Sequence, residues 1–272
     1  MAIEYASKYS GKVDERFAIA AKTANAVNND YDFVGVNVVN VYTVPTVELG
    51  DYSLTGTTRF GTPAELQNST QTLTLTQDKA FTFTIDKKSE DDTQGAMEAG
   101  KALRRQIDEV VIPTVDKYRL AVMAEGAGAN GTGAVTEAKA YSAFLDGQNA
   151  LLEAGAPENG RIAYVSPAFY KAIKLDNSFI KASDNAQNML ISGSVGTVDG
   201  VNIIPVPASY LPSGVEFILA HPVATVSPVK LEQYRVHTDA PGISGSLVEG
   251  RIRYDAFVLN NKKGAIYVHK NA

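Results

Sequence analysis

Gly126, Gly128 and Gly131 stand in the spacing GxGxxG, the one pattern in this 272-residue chain that could cradle a phosphate. That chemistry needs a strand before the glycines and a helix N-terminus after them, so that backbone amides point at a pyrophosphate. Here a helical pattern precedes them and no lysine follows in P-loop spacing, so the run Gly126–Gly133 reads as a flexible interdomain hinge. His221, His237 and His269 fall on separate predicted strands, without the paired spacing of metal ligands or the partners of a nucleophilic triad. Ser166-Pro167 and Ser244-Gly245 lack the strand–serine–helix elbow. Glu90-Asp91-Asp92 could hold a cation, but acids at a helix start are explained by the macrodipole. Asn68-Ser69-Thr70 is a glycosylation sequon by pattern, meaningful only in a secreted chain. No catalytic, cofactor-binding or metal-binding residue is assigned, and the chain is expected to be no enzyme and to need no cofactor.

Composition narrows the classes further. The net charge is −5, and no block of like charge exceeds a few residues. A dedicated nucleic-acid surface would show a basic stripe. Cysteine is absent, which removes disulfides and thiolate metal sites. No apolar run approaches the roughly eighteen residues of a membrane-spanning helix, and the N-terminus has no apolar signal region, so a soluble protein made without a signal is expected. With 44% apolar residues the chain can bury one large core or two smaller ones.

The positioning elements are long. Leu73 to Ile85 alternates apolar and polar residues almost strictly and reads as one strand of roughly 40 Å. From about Asp92 to Glu125 an amphipathic helix of roughly 50 Å is expected. Met97, Leu103, Ile107, Val110, Val111, Val115, Tyr118 and Val122 form its apolar stripe, with Lys101, Arg104, Arg105, Asp108, Glu109 and Asp116 on the other face. Pro113 should kink this helix or split it in two. A compact chain of this length is only about 50 Å across. Each element is thus nearly as long as a whole globule, which suits an extended building block better than an enzyme around a cleft.

The remaining order is legible in outline. The first thirty or so residues are polar, with Tyr5, Tyr9 and Phe17 isolated among them, and read as an arm ordered on a partner. Val34–Val44 is a β-branched run; with the Leu73 strand it brackets a polar insert and makes a long hairpin. Such a ribbon is marginal in water unless something covers it. A helix from about Thr136 to Ala154, a buried strand Arg161–Ser166 and a short helix opening at Pro167 follow. Leu175–Gly196 is irregular, and Asp199-Gly200 signals a hairpin turn into Val201–Val206. Strands are expected near Val215–Ala220, Leu231–His237, Gly245–Leu259 and Gly264–His269. The class is α+β.

Arm, hairpin, long helix, α/β middle and β-rich return, in that order, resemble the major capsid proteins of tailed bacteriophages, with the Hong Kong 97-type fold. The segments Arg161–Ile173, Val198–Pro207 and the pair Arg251–Leu259 and Gly264–His269 look like the family's middle strand-then-helix, its following hairpin and its closing strands. The likeness covers nearly the whole chain, and order and spacing carry it more than any one motif. It implies an N-terminal arm over 1–32, an E-loop over 33–88, a P domain from 89–130 and 222–272, and an A domain over 131–221, with Leu175–Gly196 as the loop at the capsomer centre. It also implies hexamers and pentamers forming an icosahedral virion shell around double-stranded DNA, assembled in the host cytoplasm.

Two departures from the family pattern matter. Some members join an E-loop lysine to a neighbour's P-domain asparagine, yet no lysine lies between Lys22 and Lys79 and no asparagine between Asn202 and Asn260. A shell without covalent cross-links is expected. There is also no long coiled-coil segment before the arm, so a separate scaffolding protein is expected, or assembly without one; portal and decoration proteins are further partners that the resemblance implies. Contacts must then come from burial. Covering roughly 1,500 Å² more apolar surface per subunit would contribute roughly 35 kcal/mol gross, before entropy and desolvation. Tyr5, Tyr9 and Phe17 are the expected arm anchors, and Tyr52, Arg59 and Phe60 the expected E-loop contacts. The alternatives are an encapsulin-type compartment of the same fold and, in a different class, a soluble β-rich binding protein suggested by the Thr-rich strands and 13 tyrosines.

Overall fold

The computed structural model of the chain describes residues 21–28, 30–31, 38–63, 65–88, 98–176, 196–238 and 240–271. Tyr5, Tyr9 and Phe17, the acids Glu90-Asp91-Asp92 and nearly all of the irregular stretch after Asp176 lie outside the described residues. In chain order come β1 (Val38–Thr43), β2 (Ser69–Thr74) and β3 (Gln77–Asp86), then α1 (Ala99–Gln106), a π turn (Ile107–Val111) and α2 (Ile112–Glu125). β4 (Ala129–Thr132), α3 (Ala140–Glu153), β5 (Ile162–Val165), α4 (Pro167–Leu175), β6 (Thr197–Val198), β7 (Val201–Pro205) and β8 (Val215–Ala220) follow. The chain closes with β9 (Thr225–Val226), β10 (Val229–His237), β11 (Gly245–Tyr254), β12 (Phe257–Val258) and β13 (Ile266–Lys270).

The largest core surrounds a mixed six-stranded sheet of order β4-β13-β8-β5-β7-β6. Its centre is covered on both faces, because Phe217 and Leu219 point one way along β8 and Ile218 and Ala220 the other, and all four are fully buried. Phe217 meets Phe144 of α3 and Phe169 of α4 at ring distances of 6.1 and 4.5 Å, which puts those helices on one face. Gly147 lets α3 approach closely, since a Cβ there would stand 2.6 Å from Leu219. Tyr164 pairs with Ile218 across the ladder, so it faces the opposite side, and its hydroxyl donates to the carbonyl of Lys22. Local chemistry fixes two connections. Ser166 caps α4 by accepting from the amide of Phe169 at 3.0 Å, with Pro167 in the first turn. Asp199 (φ 47°) and Gly200 (φ 78°) make the tight β6–β7 turn that their sequence announces.

Three expectations change here. First, Leu73–Ile85 is not one strand: it breaks at Leu75–Thr76, β2 pairing with β1 and β3 with β11. The expected Gly245–Leu259 strand breaks opposite it, at Asp255. Alternation runs straight through both breaks, so periodicity alone could not reveal them. Second, the glycine-rich run is no hinge. Ala129–Thr132 is an edge strand parallel to β13, and the amides of Gly128 and Gly133 donate to Lys263 and Lys270 carbonyls. A Cβ on Gly128 would lie 2.6 Å from the Lys263 backbone, so the glycine serves close packing.

Third, Pro113 neither splits the long helix nor ends it. Helical dihedrals continue through Ile107, Val111 and Ile112, and the run Ala99–Glu125 spans about 40 Å. The π turn lies just before the proline: the amide of Ile112 reaches back five residues to the carbonyl of Ile107, and Thr114 Oγ1 donates to the carbonyl of Val110 at 2.6 Å. One inserted residue shifts the apolar stripe. After Leu103 and Ile107 it continues through Val111 and Ile112, so Val110, expected inside, is 47% exposed. Asp116, expected on the polar face, is buried.

Candidate functional site

Among the described residues, the ribbon of β1 and β2 is held at its root. Six residue pairs run from Val38↔Thr74 to Thr43↔Ser69. At the inner end Val41, Leu73 and Leu75 join Val226 and Leu259 in a small core of their own. Gln71 adds a two-ended clasp: its Nε2 donates to the carbonyl of Val258 at 2.9 Å and its Oε1 accepts from the amide of Asn260 at 2.9 Å. Beyond Thr43 the chain carries Val44, Val47, Leu49, Tyr52, Leu54, Phe60 and Leu66, all exposed, with Leu49 and Phe60 at 102% and 93%. Of the 13 exposed large apolar side chains among the described residues, nine lie between Val38 and Leu66. An isolated subunit gains nothing from this concentration, which marks a surface to be covered.

Tyr52, Arg59 and Phe60 come together at the hairpin tip. The rings of Tyr52 and Phe60 meet edge to face at 5.0 Å. The amide of Ser53 donates to the carbonyl of Arg59 at 3.0 Å, and Arg59 Nε donates to the carbonyl of Gly56 at 3.2 Å. The guanidinium therefore helps shape the tip while its remaining donors face outward. Sequence reasoning overlooked Leu49, Leu54 and Val47, which are as open as the aromatics it chose. The available signal was apolar residues in a Thr/Gly/Ser-rich stretch with neither strand nor helix period.

Two buried carboxylates tie this hairpin and the chain's beginning to the long helix. Asp116 accepts from the amides of Lys22 (3.0 Å) and Thr23 (3.3 Å) and from Thr23 Oγ1 (2.5 Å). Arg119, one turn on, donates to Ser227 Oγ at 2.7 Å and to Thr23 Oγ1 at 3.2 Å. Burial pushes its pKa down, while the nearby Asp116 carboxylate opposes that shift. Residues 22–28 are thereby pinned, and Asn28 extends the β9 edge as a parallel bridge to Val226. Asp255 is the other hub. Its Oδ2 accepts from the amide and hydroxyl of Thr76 at 2.7 and 2.9 Å, and its Oδ1 from Tyr118 Oη and the amide of Ala256 at 2.7 and 2.8 Å. Burial, then the bond to Asp255, pushes the Tyr118 phenol up to about 12.

The three histidines stay apart. His221 braces a short turn through Asn159 and Val223, and His237 lies 3.3 Å from Glu249 on the exposed sheet face. His269 stacks on Phe217 inside the core, with ring centroids 5.1 Å apart. No group of three or more His, Cys, Asp or Glu among the described residues could hold a metal. An open hollow of about 440 Å³ lies over the sheet β10-β11-β3, lined by Thr82, Gln233, Arg235, Glu249 and Arg251 among others. No helix among the described residues is long and apolar enough to cross a membrane.

This architecture is shared with known proteins. Residues 67–268, most of the chain, match the family described as phage capsid protein, and the chain belongs to that family. A solved structure from Mycobacterium phage Che8 is similar over 92% of this chain and 90% of its own, with a TM-score of 0.72 and 18% identity. The capsid structure of cyanophage P-SCSP1u is similar over 90% and 85%, with a TM-score of 0.70 and 13% identity. The mature capsid of bacteriophage PhiM1 covers 90% and 83%, at 0.60 and 13%. No curated protein sequence matches the chain. At such identities the likeness speaks for the fold, the Hong Kong 97-type capsid fold of tailed-bacteriophage major capsid proteins. A capsid shell subunit, and so a virion component, is the function class these findings define.

Proposed function

We propose that the chain assembles with copies of itself into hexamers and pentamers that close an icosahedral shell around phage double-stranded DNA, in the host cytoplasm and without covalent cross-links. One observation supports this reading: among the described residues, nine of the 13 exposed large apolar side chains lie on one hairpin, which no other described residue covers beyond its root. A neighbouring copy supplies the missing cover. Tyr52, Arg59 and Phe60 are the proposed tip contacts, with Tyr5, Tyr9 and Phe17 anchoring the arm. The proposed divisions are arm 1–32, E-loop 33–88, P domain 89–130 with 222–272, and A domain 131–221; β3 lies within the E-loop span yet is laddered to β11. The work of the subunit is geometric, not catalytic. Scaffolding, portal and decoration proteins are proposed as its further partners.

Negative-stain microscopy of the purified protein tests the core of this proposal. Closed shells or ring-shaped capsomers are expected; dispersed monomers at every concentration would sink it and return the soluble binding protein to consideration. Boiling mature particles in SDS should yield a single monomer band, whereas a protein-only ladder would disprove the non-covalent shell. Nucleic acid extracted from native particles separates a genome shell from an encapsulin-type compartment, which would hold protein cargo instead.

A further inference from the structure

On its β2 side the hairpin joins the body through a short link. β2 ends at Thr74 and β3 begins at Gln77, so the chain passes between two different sheets through Leu75 and Thr76 alone. On the body side the last ladder pair is Gln77↔Tyr254. One step further would set Thr76 opposite Asp255, but the ladder stops there. The amide of Thr76 bonds instead to the Asp255 carboxylate, and its hydroxyl joins the same oxygen. The other oxygen is held by Tyr118 of the long helix and by the amide of Ala256. Asp255 itself is fixed, its amide donating to Pro228 and its carbonyl accepting from Ser227 Oγ. Ser227 in turn receives Arg119. A buried carboxylate with four donors converging on it is a rigid point, since releasing a donor leaves a desolvated oxygen one partner short.

We propose that Asp255 is a positioning residue that sets the angle at which the hairpin leaves the body, its carboxylate clamping the Thr76 pivot to the long helix. The proposal deepens the reading of the hairpin as an intersubunit element and rests on it for its biological meaning. The clamp matters through leverage. From Thr76 to Ser69 the strand extends about 20 Å, so a rotation of about 10° at the pivot moves the ribbon's outer end by about 4 Å. Displacements of that size decide whether an apolar tip meets its pocket. The apolar root of Val41, Leu73, Leu75, Val226 and Leu259 resists lifting of the ribbon but is non-directional. Direction comes from hydrogen bonds: those of Gln71 higher on the ribbon and, at the pivot itself, those of Thr76.

The absence of cysteine makes the test direct. Ser69→Cys, at the ribbon's outer end, and Glu153→Cys, at the exposed end of α3, are spin-labelled in the full-length chain. The labelled protein is diluted with unlabelled chain so that only distances within a subunit are read, whatever its assembly state. The distance distribution is then compared between the parent and the clamp variants. Asp255→Asn leaves two of the four donors facing an amide NH2 and should at least double the width of the distribution or shift its centre by several ångströms. Thr76→Val should do the same to a smaller degree, and Thr76→Ser should restore the parent distribution. Distributions unchanged in both Asp255→Asn and Thr76→Val would overturn the proposal and leave the angle to the apolar root and the Gln71 clasp. If Asp255→Asn does not fold, Thr76→Val against Thr76→Ser decides alone. Failure of the parent to form shells would undo the functional reading, yet these distances would still decide the clamp.

Discussion

Phe217 and Phe60 are the same residue in opposite circumstances. Phe217 is fully buried in the six-stranded sheet, with Phe144, Phe169, Tyr267 and His269 around its ring. Phe60 is 93% exposed at the hairpin tip, with Tyr52 beside it. The sheet body completes its hydrophobic burial within one chain, whereas the hairpin carries apolar surface that no other described residue covers. On the proposed function, such a subunit has a self-sufficient part and a part finished by assembly. Changes in the first should therefore appear as stability, and changes in the second as association.

The sharpest attempt to break that comparison is Phe217→Ala, which should cost about 3–5 kcal/mol of folding stability in denaturant unfolding. A cost below about 1 kcal/mol would mean that the body is not the self-sufficient half. Next comes Asp116→Asn, which weakens the acceptor for Lys22, Thr23 and the field that steadies Arg119. A loss of about 1–3 kcal/mol is expected, with faster amide exchange confined to residues 22–28 and their neighbours. Phe60→Ala should change subunit stability by no more than about 0.5 kcal/mol. Its effect should appear as a lower shell yield by sedimentation, and full yield would remove Phe60 from the contact. The smallest effect concerns pH. Below pH 10 the Tyr118 phenol is protonated in both states and its bond to Asp255 is fully present. Between pH 10 and about 12 the unfolded chain loses that proton first, so stability falls as pH rises through this window. Tyr118→Phe should flatten part of the decline; an identical slope in both proteins would show that Tyr118 adds nothing to it.

The same division explains what could be read in the sequence. Elements that follow local rules were legible: Asp199-Gly200 as a tight turn, Pro167 opening a helix, and the apolar run Val215–Ala220 as a strand. Events that depend on distant partners were not. The break at Thr76 exists because Asp255, 179 residues away, takes its amide, and nothing in the local alternation foretells it. Asp116 looked like a surface acid because its partners lie in a polar segment near the chain's start. Gly128 looked like a hinge because sequence shows the absence of a side chain but not the Lys263 backbone pressed against it. At the hairpin, the aromatic and charged tip residues attracted notice, while Leu49 and Leu54 were missed because a leucine in a strand-poor loop has no signature of its own.

The π turn before Pro113 has a consequence for how such a chain can change over time. Ala99, Leu103, Ile107, Val111 and Val115 pack with Tyr234, Val248 and Ile252 beneath the three-stranded sheet, whereas Leu120, Met123 and Ala124 belong to the core of the six-stranded one. A single helix thus serves two clients that sit at different azimuths around its axis, and the extra residue is the gear offset that lets both mesh. Substitutions along the helix trade one contact for another and can be absorbed piecemeal. Losing or gaining a single residue between Ile107 and Val111 would turn one client away entirely. In this stretch the spelling is negotiable and the letter count is not.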